Sequence, residues 1–170
     1  LTFHPGGDRA VGWTPDGSSI LFRSLRYGYP EHPGQLYTVA KDGGPAVPLP
    51  MPRAGAGDFS PDGKRLVYSP LWRDFRTFKR YQGGWAQDLY IYDLATGAAT
   101  NITNHERTDR DAMWIGDRIV FASDRDGTLN IYSLDPANPT DVKQLTRSTT
   151  WDVRWPSADH ATARVVYEMN

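Results

Sequence analysis

The protein is 170 residues long with a formal net charge of -1 and a sequence pI near 6.5, long enough to bury a core and without the charge excess that marks nucleic-acid or membrane-surface binding. It contains no cysteine, which excludes a disulfide framework and a thiolate metal site, and no apolar run approaches transmembrane length. Sixteen glycines, 13 prolines, six tryptophans and nine tyrosines instead fit many short strands joined by tight turns.

Read in chain order, one unit recurs. The segment Leu1 to Gly7 lacks the basic start and apolar stretch of a signal peptide. Ala10 to Gly17, with Trp13 before Thr14-Pro15-Asp16-Gly17, leads into the apolar strand Ser19 to Ser24. Gln35 to Val39 alternates as a strand with one apolar face. Ala56 to Gly63, with Phe59 before Ser60-Pro61-Asp62-Gly63, leads into Arg65 to Ser69, and Asp88 to Leu94 is again an alternating strand. Ala112 to Asp117, carrying Trp114, precedes Arg118 to Ser123 and then Leu129 to Leu134. A fourth copy predicts a strand ending at Trp155, a turn at Pro156-Ser157 and a strand over Arg164 to Tyr167. A further strand in each unit ends in Thr, at Asn101 to Thr103 and Gln144 to Thr146, and the opening Leu1-Thr2 matches that ending.

Four short antiparallel strands per unit, with Trp13, Phe59, Trp114 and Trp155 spaced by roughly 40 to 55 residues, are the signature of propeller blades. The predicted fold class is all-β, a partial β-propeller of three complete four-stranded blades plus parts of two others. Blades are expected at about 1–50, 51–103 and 104–146, with an incomplete one at 147–170, all within one propeller domain. The turns have a physical basis: Pro presets φ, Asp bonds back to the backbone, and Gly takes positive φ without a Cβ clash.

No residue pattern signals catalysis. His4, His32, His105 and His160 fall in predicted loops, outside any metal spacing, and read as solvated. There is no Gly-x-Ser-x-Gly elbow, and Gly55-Ala56-Gly57 lacks the third glycine of a dinucleotide fingerprint. Ser123 to Gly127 resembles part of a calcium loop but lacks its further ligands and its bidentate Glu, so a plain turn is expected. Asp109, Asp111, Asp124 and Asp126 border turns, where Asp serves the backbone. No catalytic residue, cofactor or metal is expected in this segment.

The long connection Pro70 to Gln87 stands out. It carries Arg73, Arg76, Lys79 and Arg80 against the single acid Asp74. Trp72, Phe75, Phe78 and Tyr81 recur every third residue, which suggests a helical turn with one aromatic side. Aromatic and Arg surfaces are typical of interface hot spots. Two readings stand: local capping of the blade, or contact with another domain or with anionic peptide ends. The candidate contact residues are Arg73, Arg76, Lys79, Arg80, Tyr81, Trp85 and Arg9. A second connection, Leu25 to Gly34, with Arg26, Tyr27 and His32, is a lesser candidate.

The Pro-Asp-Gly blades resemble TolB-like and tricorn-type propellers. Phe78 to Trp85, containing Tyr81-Gln82-Gly83-Gly84, and the run Trp114 to Phe121 followed by Ser123 to Gly127 and Asn130 to Ser133 are similar to successive blades of the first propeller of tricorn proteases. The resemblance implies a non-catalytic segment of a large serine peptidase, helping assembly and the passage of peptides to or from a proteolytic chamber. The catalytic residues would lie in later domains. The implied partners are the remaining blades and peptidase domains of the parent chain and possible peptides, within a homo-oligomer of the full protein. Nucleic acid and membrane are not among them, and the compartment stays open between cytoplasm and periplasm for a soluble protein. Archaeal relatives carry an adjacent Arg pair before an inner strand; the corresponding loop here, His4 to Ala10, offers only Arg9. A TolB-like protein-binding propeller and the lid propeller of a prolyl-oligopeptidase-type enzyme are the alternative readings.

Overall fold

The computed structural model describes residues 2–26, 34–51, 53–71 and 81–170. Strands β1 (Asp8–Trp13), β2 (Ser19–Ser24), β3 (Gln35–Ala40) and β4 (Val47–Pro48) form an antiparallel sheet in sequence order, here blade 1. Blade 2 contains β5 (Ala56–Phe59), β6 (Arg65–Ser69), β7 (Tyr90–Asp93) and β8 (Ala99–Asn101). Blade 3 contains β9 (Asp109–Ile115), β10 (Arg118–Ser123), β11 (Asn130–Asp135) and β12 (Asn138–Gln144). The hairpin of β13 (Val153–Asp159) and β14 (Arg164–Met169) is the visible part of blade 4. The chain is thus a partial β-propeller. Thr2 lies in no strand, and Leu1 falls outside the described residues.

Alternation along each strand sends successive side chains to opposite faces, and in blades 2 and 3 both faces are buried against neighbouring blades. Leu66 and Tyr68 of β6 pack with Leu21 and Leu36 of blade 1, whereas Val67 between them joins Trp114, Ile119 and Phe121 of blade 3. Val120, between Ile119 and Phe121, joins the seam with Val153, Ala158 and Val165 of blade 4. Fully burying one such Leu, Val or Phe side chain stabilises by about 1.5–3 kcal/mol, so each seam holds its two blades together without any covalent staple.

Backbone bonds reinforce the seams. A carbonyl at or shortly before the third strand of each blade accepts an N–H from the start of the next blade, at or just ahead of its inner strand. Ala54 donates to Gly34 at 3.3 Å, Asp109 to Gln87 at 2.7 Å and Val153 to Leu129 at 2.8 Å. Tyr92 adds a side-chain link from blade 2 to the Pro50 carbonyl of the blade 1–blade 2 connection.

The recurring polar residues have specific duties. In the turn after Trp13, the Thr14 hydroxyl donates to Asp16 Oδ1 at 2.6 Å, Ser18 N–H donates to the same oxygen at 3.1 Å, and Gly17 has φ of 66°. Ser60, Asp62, Lys64 and Gly63 reproduce the arrangement, with 2.6 Å, 3.1 Å and φ of 69°. At or just before the start of the third strand, Gln35, Asp88 and Asn130 each hold the chain that returns after the fourth strand. Gln35 Nε2 donates to the carbonyls of Leu49 and Met51. Asp88 accepts from the Thr103 hydroxyl and from His105 N–H. Asn130 Oδ1 accepts from the Thr146 hydroxyl and Ser148 N–H, while its Nδ2 donates to the carbonyls of Thr128 and Ser148.

Two sequence expectations are corrected. The fourth strands were expected over Asn101 to Thr103 and Gln144 to Thr146; they end at Asn101 and Gln144. The threonines leave the ladder because their hydroxyls accept from strand-three amides, Leu89 N–H to Thr103 at 3.0 Å and Ile131 N–H to Thr146 at 2.8 Å. In the fourth copy β13 does not stop at Trp155 but runs through Pro156 to Asp159. Trp155 has φ of 47° and sits in a register shift between Arg154 and Ser157, a bulge that accommodates the missing proline N–H. The register equivalent of Trp114, which pairs with Ile119, is therefore Ala158, which pairs with Val165. Trp13 itself is 54% exposed, against 7% for Phe59 and 2% for Trp114. Its partner Ile20 belongs to the cluster of Phe22, Tyr37 and Val39, on the face of blade 1 turned away from blade 2.

Replacing Asn130, 2% exposed, with Ala strands several buried partners. It should lower stability by about 2–4 kcal/mol in chemical denaturation, whereas Thr140→Ala on the exposed outer strand should change it by less than about 0.5 kcal/mol.

Candidate functional site

The inner strands β1, β5, β9 and β13 pack side by side and bring together residues far apart in sequence. Arg9 lies exposed on β1, directly opposite Arg23 of β2. Burial, together with the neighbouring Arg9 charge, pushes the Arg23 guanidinium down from its ordinary value. Sequence reasoning found Arg9 but not Arg23, because Arg23 reads as an ordinary strand position and only the register sets it across from Arg9.

Of the other contact candidates, Arg73, Arg76, Lys79 and Arg80 lie outside the described residues, as do Trp72, Phe75 and Phe78. Tyr81 is half-buried against Gly83. Gly83 has φ of 144°, and a Cβ there would meet the Tyr81 hydroxyl at 2.6 Å, so both backbone and neighbour call for glycine. Trp85, at 48%, is an exposed large apolar side chain. Tyr81 and Trp85 belong to the β6–β7 connection of blade 2, whereas Arg9 belongs to the inner strand of blade 1.

The charged residues in blades 1 and 3 form a repeated clamp. Arg26 reaches Asp8 at 2.9 Å and the Ser24 hydroxyl at 2.8 Å, with its guanidinium 5.2 Å from the Phe22 ring centre and 4.8 Å from that of Tyr37. Arg125 reaches both oxygens of Asp109 at 2.9 and 3.0 Å and the Ser123 hydroxyl at 3.0 Å, over Phe121 at 5.2 Å and Tyr132 at 4.9 Å. The clamp joins an inner strand to the connection that follows β2 or β10. In blades 2 and 4 the corresponding inner-strand positions, located by the inter-blade carbonyl bond, are Ala54 and Val153. Blade 2 instead has a 2.8 Å hydrogen bond from Ser69 to Gln87.

Asp124 and Asp126, in the segment that resembles a calcium loop, have internal partners. Asp124 accepts from Thr108 N–H at 3.0 Å, and Asp126 accepts from the Tyr132 hydroxyl. Among the described residues no group of three or more His, Cys, Asp or Glu side chains could hold a metal ion. His4 and His105 accept local backbone N–H groups from Gly6 and Arg107, and His32 lies outside the described residues. His160, in the exposed β13–β14 turn, has in addition a distant partner. Its Nε2 is 2.7 Å from Asp58 Oδ2, a contact across 102 positions that no local pattern signals.

Comparison with known proteins sets these features in a family. Residues 1–170 match the tricorn protease N-terminal beta propeller domain. The chain belongs to that family. It is 32% identical over 164 residues to "Tricorn protease homolog 1" of Streptomyces coelicolor, covering 92% of this chain and 14% of that protein. It is 29% identical over 146 residues to "Tricorn protease" of Thermoplasma acidophilum, covering 86% and 13%. The chain therefore spans about one seventh of the relatives it matches. Among solved structures, the crystal structure of the tricorn protease superposes with a TM-score of 0.77 at 24% identity, over 95% of this chain and 15% of that one. TolB from Acinetobacter baumannii superposes with 0.73 at 22%, over 95% and 37%. At these identities the solved structures speak for the fold alone, and both share the β-propeller fold.

The clamps generate a pH-dependent expectation. Burial pushes the Asp109 carboxyl up and Arg125 opposes that shift. Arg125→Met leaves a fully buried carboxylate without its cation, and stability should fall by about 3–5 kcal/mol at neutral pH. A carboxyl raised in the fold contributes below its unfolded value and loses that contribution as pH rises. The variant's deficit, measured by denaturant unfolding, should therefore be small near about pH 3.5 and full near about pH 7; an equal deficit at both would contradict the clamp's electrostatic role.

Proposed function

We propose that this chain is a non-catalytic propeller segment of a tricorn-like serine peptidase, which helps assembly and the passage of peptides to or from a proteolytic chamber. The observation that carries the reading is the family match along all 170 residues in a chain that spans about one seventh of its protease relatives. Peptide hydrolysis then belongs to domains elsewhere in the polypeptide. The segments at about 1–50, 51–103, 104–146 and 147–170 act as successive units of one propeller domain. Its partners are the remaining blades and the peptidase domains, within a homo-oligomer of the full protein.

Two basic regions suit contact with peptides or neighbouring domains. One is Arg9 with Arg23 across from it, two cations on adjacent strands that favour a carboxylate. The other is the loop with Arg73, Arg76, Lys79 and Arg80, followed by Tyr81 and the exposed Trp85. Arg and aromatic side chains together are what interface anchors are made of.

In the full-length protein, Arg76→Ala, Lys79→Ala and Arg80→Ala combined should lower kcat/KM for oligopeptides by roughly tenfold or shift the assembly to smaller species in light scattering. Unchanged turnover and unchanged assembly would remove the loop from the reading. The segment by itself should hydrolyse no peptide; hydrolysis abolished by a substitution within residues 1–170 would overturn the non-catalytic assignment.

A further inference from the structure

At Asp58 four blades meet. The residue sits on β5 of blade 2. A Cβ on Gly12 of blade 1 would stand 3.9 Å from its Oδ1. Its Oδ2 accepts the Trp114 N–H of blade 3 at 2.7 Å and faces His160 Nε2, in the β13–β14 turn of blade 4, at 2.7 Å. The Asp58 side chain is 10% exposed and the His160 side chain 52%, so the carboxylate is enclosed while the imidazole is open to water on one side.

The turn is built to present the imidazole. Asp159 accepts from Ala161 N–H at 3.0 Å and from the Thr162 hydroxyl, which fixes the loop on either side of His160. The buried carboxylate in turn requires hydrogen bonds wherever it is ionised. Trp114 supplies one from blade 3, and His160 supplies the bond that reaches blade 4. Otherwise the hairpin's apolar attachment to blade 3 rests mainly on Val153, Ala158 and Val165.

We propose that Asp58 and His160 form a proton-sensitive bolt, which ties the β13–β14 turn of blade 4 to the inner strand of blade 2 and tightens on acidification through the neutral range. Histidine is the side chain whose charge changes between about pH 5 and 8, and a charge-assisted bond is stronger than a neutral one. Burial pushes the Asp58 carboxyl up to about 6, against the bonds from Trp114 and the His160 charge, so it is mostly ionised above that pH and the bond to His160 is charge-assisted only where the carboxylate remains.

The charges on the surrounding elements have other engagements. On β1, Asp8 pairs with Arg26 and Arg9 stands opposite Arg23. On β6, Arg65 lies over the Trp114 ring at 4.8 Å. On β9, Asp109 pairs with Arg125, and Arg110 with Asp111. Around β13 and β14, Arg154 pairs with Asp152, Arg164 stands opposite Asp159, and Asp159 also feels the His160 charge.

Hydrogen exchange by mass spectrometry on the full-length protein tests the bolt, comparing wild type with His160→Ala and His160→Gln at about pH 6.5 and about pH 8.5. Peptides spanning Val153–Met169 report the hairpin, and peptides spanning Tyr90–Asp93 report that blade 2 is folded in each variant. For His160→Ala the hairpin should exchange about fivefold faster than wild type at the lower pH, with a smaller ratio at the higher. His160→Gln, which keeps a neutral donor, should match wild type at the higher pH and exchange faster at the lower. A ratio independent of pH for His160→Ala, or His160→Gln equal to wild type at both pH values, would overturn the proposal.

Discussion

The structure depends on burying apolar side chains on both faces of a sheet against the neighbouring sheets. A four-stranded sheet with apolar residues on both faces has no stable existence alone, because those faces must find cover. The propeller supplies it by radial stacking, and the alternation Leu66, Val67, Tyr68 shows the consequence: neighbours on one strand belong to different seams. The bond from each inner strand to the preceding blade's carbonyl fixes the spacing at which that stacking occurs.

Polar residues then decide details that apolar packing leaves open. Gln35, Asp88 and Asn130 occupy one position in three blades and differ in chemistry, yet each holds the returning chain. The arginine clamp occupies blades 1 and 3 and gives way to Ala54 and Val153 in the others. The repeat therefore conserves a geometric task more strictly than a residue type. It also keeps Asp109 and Arg125 occupied with architecture.

Much of this was legible in the sequence. The Pro-Asp-Gly turns and the strand cores follow from Thr14 to Gly17, Ser60 to Gly63 and the runs around Leu66 and Ile119, because their chemistry is local, whereas the tricorn-type likeness lay in Phe78 to Trp85 and in Trp114 to Phe121 with the segments Ser123 to Gly127 and Asn130 to Ser133. What escaped was set by register and distance. Trp155 looked like Trp114 until the bulge moved the equivalence to Ala158. Thr103 and Thr146 looked like strand ends because their hydroxyl bonds to Leu89 and Ile131 span 14 and 15 positions. Arg23 and His160 acquire meaning only through Arg9 and Asp58, partners that no local spacing announces.

The central claim is that side chains alternating on one strand serve two different blades. Nuclear Overhauser contacts from the rings of Trp114 and Phe121 test it most directly. The account predicts cross-peaks to the methyl groups of Val67 and Ile102 in blade 2, with Val120 giving cross-peaks to Val153 in blade 4 instead. Ring contacts confined to residues 109–144, or Val120 sharing the partners of Phe121, would contradict it.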